Sequence, residues 1–371
     1  MKQRWIVLAV TASLVLVLGS CAGAPGPTPA PAPTTLEAPP SSSTAPTPTP
    51  DTTHTHPSTS QPPVPQPTPS PTPPPIIHPP SSAPPVLPYD GPIIDAHSQC
   101  CPENLGRIIQ LMNQAGVTRT ILSPGVTSPR GIVTPEDLIS FSSSHPGRII
   151  PAVLTKIGPY GNYYQLLEKQ MNMDGFGAMA EFLVYHSRKG DRAPEIIVYP
   201  EDRQMQTALN YALGKKWPFI IHIEFAAAGC PRNELMTKLK ALLVQYPDQP
   251  FVLIHMGQLD HAAVRQLIEA YGNIYFITSS STPAYAVNAF NDRWTNMFDG
   301  SHLSADWKQL IIEHSDRFIL GFDMVWVEDW GPFYLGQVRL WREAIGGLPS
   351  EVAHAIAHRN AERLWHLPPS E

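Results

Sequence analysis

The chain has 371 residues and a formal net charge of −6, from 25 basic and 31 acidic side chains. A chain of this length can hold two domains, but its composition changes strongly from the N-terminal to the C-terminal part. A phosphate-binding face needs clustered lysine and arginine, and no such cluster is present in the sequence. The mild negative charge therefore argues against a nucleic acid as partner.

The first residues have the pattern of a secretory signal. Residues 1–20 combine a basic start with an apolar run that is too short for a comfortable membrane span, and small residues follow it. The sequence LGSC at 18–21 resembles a bacterial lipobox, in which the cysteine is lipidated and becomes the new N-terminus. We therefore expect an exported lipoprotein that a lipid on Cys21 anchors to the outer face of a bacterial membrane. An ordinary cleaved signal or an uncleaved anchor stays open.

Residues 21–90 begin with the lipidation cysteine and continue as a linker. More than half of the 44 prolines fall in this stretch, and threonine, serine and alanine fill most other positions. Only Glu37 and Asp51 carry charge between positions 22 and 89. Such a segment has too little apolar surface to fold and lacks the amide donors of regular structure. We expect a disordered, partly extended tether.

Residues 91–371 show strand-like apolar runs that alternate with amphipathic, helix-like segments. The strand-like runs lie near 92–98, 117–123, 148–155, 176–184, 218–225, 250–256, 273–279 and 317–325. Strands that helices cover on the outside should be apolar without alternation, as PFIIHI and PFVLIH are. Eight such units predict an α/β fold, the (β/α)8 TIM barrel, for which about 250 residues are typical.

Helix boundaries support the same interpretation. Gly116 is a stop signal for the first helix, and Thr134 with Pro135 is a start signal for the second. Asn233 and Asp260 can cap two later helices. An open doubly wound sheet would show a glycine-rich phosphate turn after its first strand, and the sequence HSQCCPEN there is unlike one.

Four ionisable residues come at the ends of separate strand-like runs. They are His97, His222, His255 and Asp323. The carboxyl-terminal ends of parallel barrel strands point into one mouth, so these side chains are predicted to meet there around a metal ion.

The segments that carry these residues resemble the amidohydrolase superfamily, specifically its amidohydrolase-related (amidohydrolase-2) branch of metal-dependent hydrolases and decarboxylases. The resemblance covers residues 91–367 and rests on IIDAHSQ, GAMAEFLVYH, IIHIEF, VLIHMG, LGFDMVW and HRNAERLW in this order. It implies a divalent metal bound by His97, His222 and Asp323, with His255 nearby. It also implies that Glu181 corresponds to a second-metal ligand of the deoxyribonuclease-like relatives; a structural ion pair is the alternative.

One position departs from the family pattern. The first strand usually ends in His-x-His, whereas this chain has His97-Ser98-Gln99. Gln99 shares a strand face with His97, because strand periodicity is two, and is predicted to take the place of the second ligand. A carboxamide oxygen binds zinc more weakly than imidazole does. Zinc is the expected ion, manganese is the alternative, and a metal-free protein stays open.

The resemblance implies a hydrolase that uses metal-bound water on a lactone, amide or ester of a small molecule. Asp323 would be the general base as well as a ligand, and His255 would stabilise developing charge. Lys156 and Glu224 are the candidate substrate-binding residues; Glu224 can instead support a metal ligand. A metal-dependent decarboxylase and a non-catalytic surface-binding barrel are the alternatives.

Two further questions stay open. In an exported protein, Cys100 or Cys101 could form a disulfide bond with Cys230. The sequence does not indicate the number of subunits, so a homo-oligomer remains an alternative to a monomer.

Overall fold

The computed structural model describes residues 87–125, 130–156, 162–191, 193–286 and 293–370. All of them belong to one compact unit that begins at residue 79. The expected signal segment, almost all of the expected linker, and Cys21 lie outside the described residues. In the part of the chain that is described, no helix has the length and apolar character needed to cross a membrane.

Parallel strands alternate with helices, and each predicted strand-like run overlaps an observed strand. The strands are β1 (Ile93–Cys100), β2 (Val117–Pro124), β3 (Ile149–Val153), β4 (Ala178–Met179), β5 (Phe182–His186), β6 (Ile196–Ile197), β7 (Phe219–Ile223), β8 (Phe251–Leu253), β9 (Ile274–Ile277), β10 (Phe298–Asp299), β11 (His302–Leu303) and β12 (Phe318–Ile319). The prediction of a TIM barrel is confirmed. The predicted fourth strand is split, because Ala180 and Glu181 interrupt it between β4 and β5.

Helices cover the strands on the outside. They are α1 (Ile108–Ala115), α2 (Pro135–Ser144), α3 (Tyr163–Met171), α4 (Arg203–Lys215), α5 (Arg232–Gln245), α6 (His261–Ala270), α7 (Pro283–Ala286), α8 (Ala305–Glu313), α9 (Pro332–Gly346), α10 (Ser350–His354) and α11 (Asn360–Leu364). A π-helical turn, Ala355–Arg359, joins α10 to α11. The outer core lies between strands and helices. A smaller inner cluster contains Ile94, Ile220 and Val252, and Trp365 after α11 packs into it.

Hydrogen bonds close the barrel between its first and last strands. The strands β1, β2, β3 and β4 pair in parallel, and so do β5, β7, β8, β9 and β12. The amide of Ala180 donates to the carbonyl of Val153, which joins the two sets on one side. On the other side, Ala96 N donates to Leu320 O at 3.0 Å and Asp323 N donates to His97 O at 2.8 Å. This closure places Asp323 beside His97.

Three of the four predicted helix boundary signals are found in the structure. Gly116 follows α1 with a left-handed φ of 70°, a conformation in which glycine carries no Cβ penalty. The side chain of Thr134 accepts from Asp137 N, and that of Asp260 accepts from Ala263 N. The predicted cap at Asn233 is wrong. The helix α5 begins at Arg232, with Pro231 at the cap position, so Asn233 lies within its first turn.

The disulfide bond that the sequence left open is not formed in the structure. All three described cysteines are free: Cys100 and Cys101 are buried, and Cys230 is partly buried. The thiol of Cys100 contacts the carbonyl oxygen of Ser123 on the neighbouring strand β2, at 3.4 Å. Burial raises the pKa of the Cys230 thiol to about 11, so it is a weak nucleophile at neutral pH.

Candidate metal centre

The strand-end residues that the sequence singles out converge in the barrel mouth. They are His97 and Gln99 in β1, Glu181 between β4 and β5, His222 in β7, His255 directly after β8 and Asp323 after β12. All six side chains belong to buried residues. His97 Nε2 lies 3.4 Å from Asp323 Oδ1, and His255 Nε2 lies 3.4 Å from Asp323 Oδ2. The predicted meeting of these side chains therefore occurs.

Among the described residues, three overlapping groups of donor atoms have the spacing of a metal site. One consists of His186, His222 and Glu224, and the other two share Glu181. In one of these two groups, single ligand atoms of His97, Glu181 and Asp323 all lie within 4.8 Å of one another. In the other, the same is true of Glu181, His222 and His255. Glu181 belongs to both, because its Oε1 faces His97 at 3.7 Å and its Oε2 contacts His222 Nδ1 at 2.7 Å. Imidazole nitrogens and carboxylate oxygens together suit zinc or manganese.

Unpaired polar atoms in this centre fit a bound cation. Both ring nitrogens of His97 are buried without a hydrogen-bond partner among the described residues, and so is Oε1 of Gln99. A buried polar atom without a partner costs about 1–3 kcal/mol, so a fully buried histidine with two such atoms needs an explanation. A divalent ion next to His97 Nε2 would satisfy one of them and would balance the two neighbouring carboxylates.

Gln99 presents its amide nitrogen to the carboxylates. Its Nε2 donates to Asp323 Oδ1 at 2.9 Å and to Glu181 Oε1 at 3.4 Å, whereas the sequence led us to expect its oxygen to act as a ligand. The nitrogen and oxygen of an amide exchange places by a half-turn of the side chain, and the donors and acceptors around it decide between them. Beside two carboxylates, the donating orientation is the favourable one.

Lys156 lies inside the centre. Its ammonium forms an ion pair with Glu181 Oε1, and its side chain is only 14% exposed. The sequence predicted that Lys156 binds an anionic group of the substrate, but in the structure it neutralises a residue of the protein. The centre thus already contains one positive charge of its own.

The two histidines on β7 and β8 have opposite protonation tendencies. Burial disfavours the charged form of His222, but Glu181 and Glu224, which contact its two ring nitrogens, outweigh burial and raise the pKa of His222 to about 9. Burial dominates at His255 and lowers its pKa to about 4. Ligand nitrogens must be unprotonated, so a metal ion at His222 has to displace a proton from Nδ1.

Glu224 orients His222. One of its oxygens lies 3.0 Å from His222 Nε2, and the other accepts from the amide and hydroxyl of Ser187 and, at 2.9 Å, from Lys189 Nζ. Both oxygens are therefore engaged by the protein. The sequence left two roles open for Glu224, substrate binding and support of a metal ligand. Its contact with His222 Nε2 fits the second role, because such a contact fixes the orientation and the tautomer of the imidazole ring.

Replacing Glu224 by glutamine is expected to weaken metal binding about 10- to 100-fold, the usual effect of losing such an outer partner. The amide keeps the shape, but it removes the charge that holds His222 and Lys189. Competition with a chromophoric chelator measures the change in Kd. Glu195→Gln is the matched control, since Glu195 is exposed and accepts from Tyr185 OH at 2.9 Å. Equal affinities of the two variants would show that Glu224 has no such role.

Backbone strain is concentrated at the strand ends of the centre. Asp323 has a φ of 47°, and His255 and Met256 both have a φ of 57°, in the left-handed region that residues other than glycine rarely adopt. Asp95 supports the bend at Asp323, because its carboxylate accepts from Phe322 N at 2.9 Å. Residues that are held in such conformations are frequent at functional sites.

Two residues beside His255 were not foreseen. Ser279 follows β9, and its hydroxyl lies 2.9 Å from His255 Nδ1. The strand-end rule that identified the other residues would also have identified it. The ring of Trp294 packs on His255 in T-shaped geometry, with 5.0 Å between the centroids. Trp294 lies in an irregular segment after α7, and no sequence pattern marks it.

Comparisons with known proteins find a family match over part of the chain and a likeness in fold. Residues 193–367 match the family model described as amidohydrolase. Among solved structures, an uncharacterised TIM-barrel protein of Bordetella bronchiseptica has 15% identity and a TM-score of 0.50, over 74% of this chain and 99% of that chain. At this identity, the likeness shows the fold alone. A search of curated proteins finds no match.

Two further solved structures have lower TM-scores. A probable 2-pyrone-4,6-dicarboxylic acid hydrolase of Acinetobacter baumannii has 11% identity and a TM-score of 0.46, over 74% of this chain and 99% of that chain. A 2,6-dihydroxybenzoate decarboxylase of Rhizobium has 16% identity and a TM-score of 0.45, over 75% of this chain and 99% of that chain.

Proposed function

We propose that the chain is a metal-dependent hydrolase of a small-molecule lactone, amide or ester, and the amidohydrolase match over residues 193–367 supports this proposal. The observation that carries the proposal is the environment of His97. Its ring is fully buried, lacks hydrogen-bond partners among the described residues, and faces the carboxylates of Glu181 and Asp323. Buried polar groups in folded proteins are normally paired, and a bound cation would provide the missing partner of this ring.

His97, Asp323, Glu181 and His222 would hold the ion. Its chemistry, when bound, is to polarise a carbonyl group and to lower the pKa of water. Gln99 contributes either by binding the ion through its amide oxygen or by donating from its amide nitrogen to Asp323 Oδ1. Trp330 Nε1 donates to the backbone carbonyl of Gln99 at 2.7 Å and fixes its position. Zinc remains the expected ion and manganese the alternative.

Asp323 and His255 divide the proton chemistry between them. Asp323 has one oxygen bonded to Gln99 and the other 3.4 Å from His255, so the second oxygen is placed to accept a proton from the attacking water. His255 is neutral, because burial lowers its pKa to about 4. When Ser279 donates its hydroxyl proton to Nδ1, the proton of the neutral ring is on Nε2, from which it can donate to the oxygen on which charge develops.

The proposal keeps the expected location. The sequence of residues 1–21 supports an exported lipoprotein with its lipid on Cys21, and the proline-rich stretch supports a tether between that lipid and the barrel. The substrate would then be a small molecule that reaches the outer face of a membrane. The resembled branch also contains decarboxylases. Carboxylic acids therefore belong among the substrates to be tested, with release of CO2 as the measurement.

Elemental analysis of the full chain, purified without chelators, tests the proposal together with two histidine variants. We expect near-stoichiometric zinc or manganese in the wild type and its loss in His222→Ala. His261→Ala is the control, because His261 is a partly exposed surface histidine that pairs with Asp306 at 3.4 Å. Turnover of a lactone, amide or ester that requires this ion would support hydrolysis. No metal in the wild type, even after reconstitution, would overturn the proposal.

A further inference from the structure

A cavity of about 440 Å³ lies beside the metal centre, on the same face of the barrel. Segments that follow β7, β8 and β9 form its wall, together with Trp307 of α8. The lining residues of these segments are Ala226, Arg232, residues 258–261, residues 293–296 and Ser304. The volume suits a small organic ligand. Trp294 connects the cavity to the centre, because its side chain lines the cavity and also packs on the ring of His255.

The cavity wall is rich in hydrogen-bond donors that lack acceptors. Trp294 Nε1 and Gln258 Nε2 are both buried without an acceptor among the described residues. The oxygen of Gln258 is engaged, since it accepts from Ala226 N at 3.2 Å, so the amide nitrogen is the end that remains unpaired. Each buried donor of this kind costs about 1–3 kcal/mol unless an acceptor reaches it.

The charges of the wall favour an anion with a single charge. Arg293 forms no hydrogen bond or ion pair within the described parts of the chain, and Arg232 has only a long contact of 3.5 Å to the carbonyl of Phe225. Among the described lining residues, Asp260 is the one acidic residue, and its carboxylate caps α6 by accepting from Ala263 N at 2.8 Å. Two arginines against one aspartate match one carboxylate better than a doubly charged phosphate.

We propose that this cavity binds the carboxylate group of a small organic acid, with Arg293 and Arg232 as its cationic partners and Trp294 as a neutral donor. The inference rests on the proposed function only in taking the acid to be a substrate or product of the adjacent centre. Binding itself needs neither the metal nor turnover.

Titration of butyrate into the full chain by ligand-observed NMR, with an excess of the neutral chelator 1,10-phenanthroline, tests the cavity separately from the metal centre. Saturable binding is expected, and Arg293→Gln should weaken it about two- to fivefold, as is usual for one exposed charge pair. Trp294→Phe keeps a ring but removes the N–H, and a similar loss is expected. Arg265→Gln is the matched control, because Arg265 lies on the outside of α6 and pairs with Glu313. It should bind butyrate as the wild type does.

Two further probes identify the chemistry that is recognised. Butyramide has the shape of butyrate without its charge and should bind about fivefold more weakly or worse. The inference is overturned by absent saturation, by equal affinities for butyrate and butyramide, by an unchanged Kd in Arg293→Gln, or by inorganic phosphate that binds as tightly as butyrate. Because chelator is present throughout, failure of the metal-dependent hydrolase would leave this titration unaffected, and the two results remain distinguishable.

Discussion

The Asp323→Asn variant is expected to lose about 10²- to 10⁴-fold in kcat at saturating metal, the range that general acid–base catalysis contributes. An amide cannot accept the proton of the attacking water as a carboxylate does. Its nitrogen would also oppose Gln99 Nε2, which donates to Asp323 Oδ1 at 2.9 Å in the wild type. Steady-state kinetics across a zinc titration separates this loss of kcat from a weaker metal Kd.

Asp316→Asn is the matched control for this effect. Asp316 lies in the turn before β12, its side chain is 61% exposed, and its partner is Arg317 at 3.1 Å. Its kcat should equal that of the wild type. If Asp323→Asn keeps more than about a tenth of the wild-type kcat once metal saturates, another carboxylate accepts the proton, and Glu181 is then the nearest alternative.

The barrel could be predicted from the sequence because its signals are local. Apolar runs such as PFIIHI and PFVLIH carry the pattern of strands buried on both faces, and Gly116 and Thr134 mark helix ends through their own backbone and side chain. The break at Ala180 and Glu181 has no such local cause. It arises where β4 pairs with β3 and β5 pairs with β7, which only the closed barrel determines.

The candidate site was predictable in its membership but not in its connections. His97, His222, His255 and Asp323 could be chosen because strand ends meet at one mouth. Gln99 and Lys156 both contact the carboxylate of Glu181, which lies 82 positions after Gln99 and 25 positions after Lys156. Strand periodicity does not reveal such pairs. The register of β1 against β2 also shifts between Asp95 and Ser98, and the sequence does not reveal this irregularity.

Lys156→Met is expected to have opposite effects on metal binding and on the stability of the metal-free protein. The ammonium of Lys156 contacts the carboxylate that belongs to two groups of candidate ligands, so it competes with a cation for Glu181. Like charges a few ångströms apart repel by up to several kcal/mol at an effective dielectric constant of about 20. Removing the ammonium should therefore tighten zinc binding about tenfold or more, and a second ion should become easier to bind.

The metal-free Lys156→Met variant loses one of the two cations that contact a buried carboxylate, because protonated His222 still lies 2.7 Å from Glu181 Oε2. The loss should therefore cost less than a buried charge without any partner does, which is about 3–5 kcal/mol. The Tm of the variant should fall without zinc and recover when zinc is added, with a larger zinc-induced shift than in the wild type. Lys169→Met is the matched control, because that exposed side chain pairs with Glu136 at 2.6 Å. Equal zinc Kd values and equal Tm shifts in Lys156→Met and the wild type would show that the ion binds away from Glu181, since only an ion that shares this carboxylate competes with the ammonium.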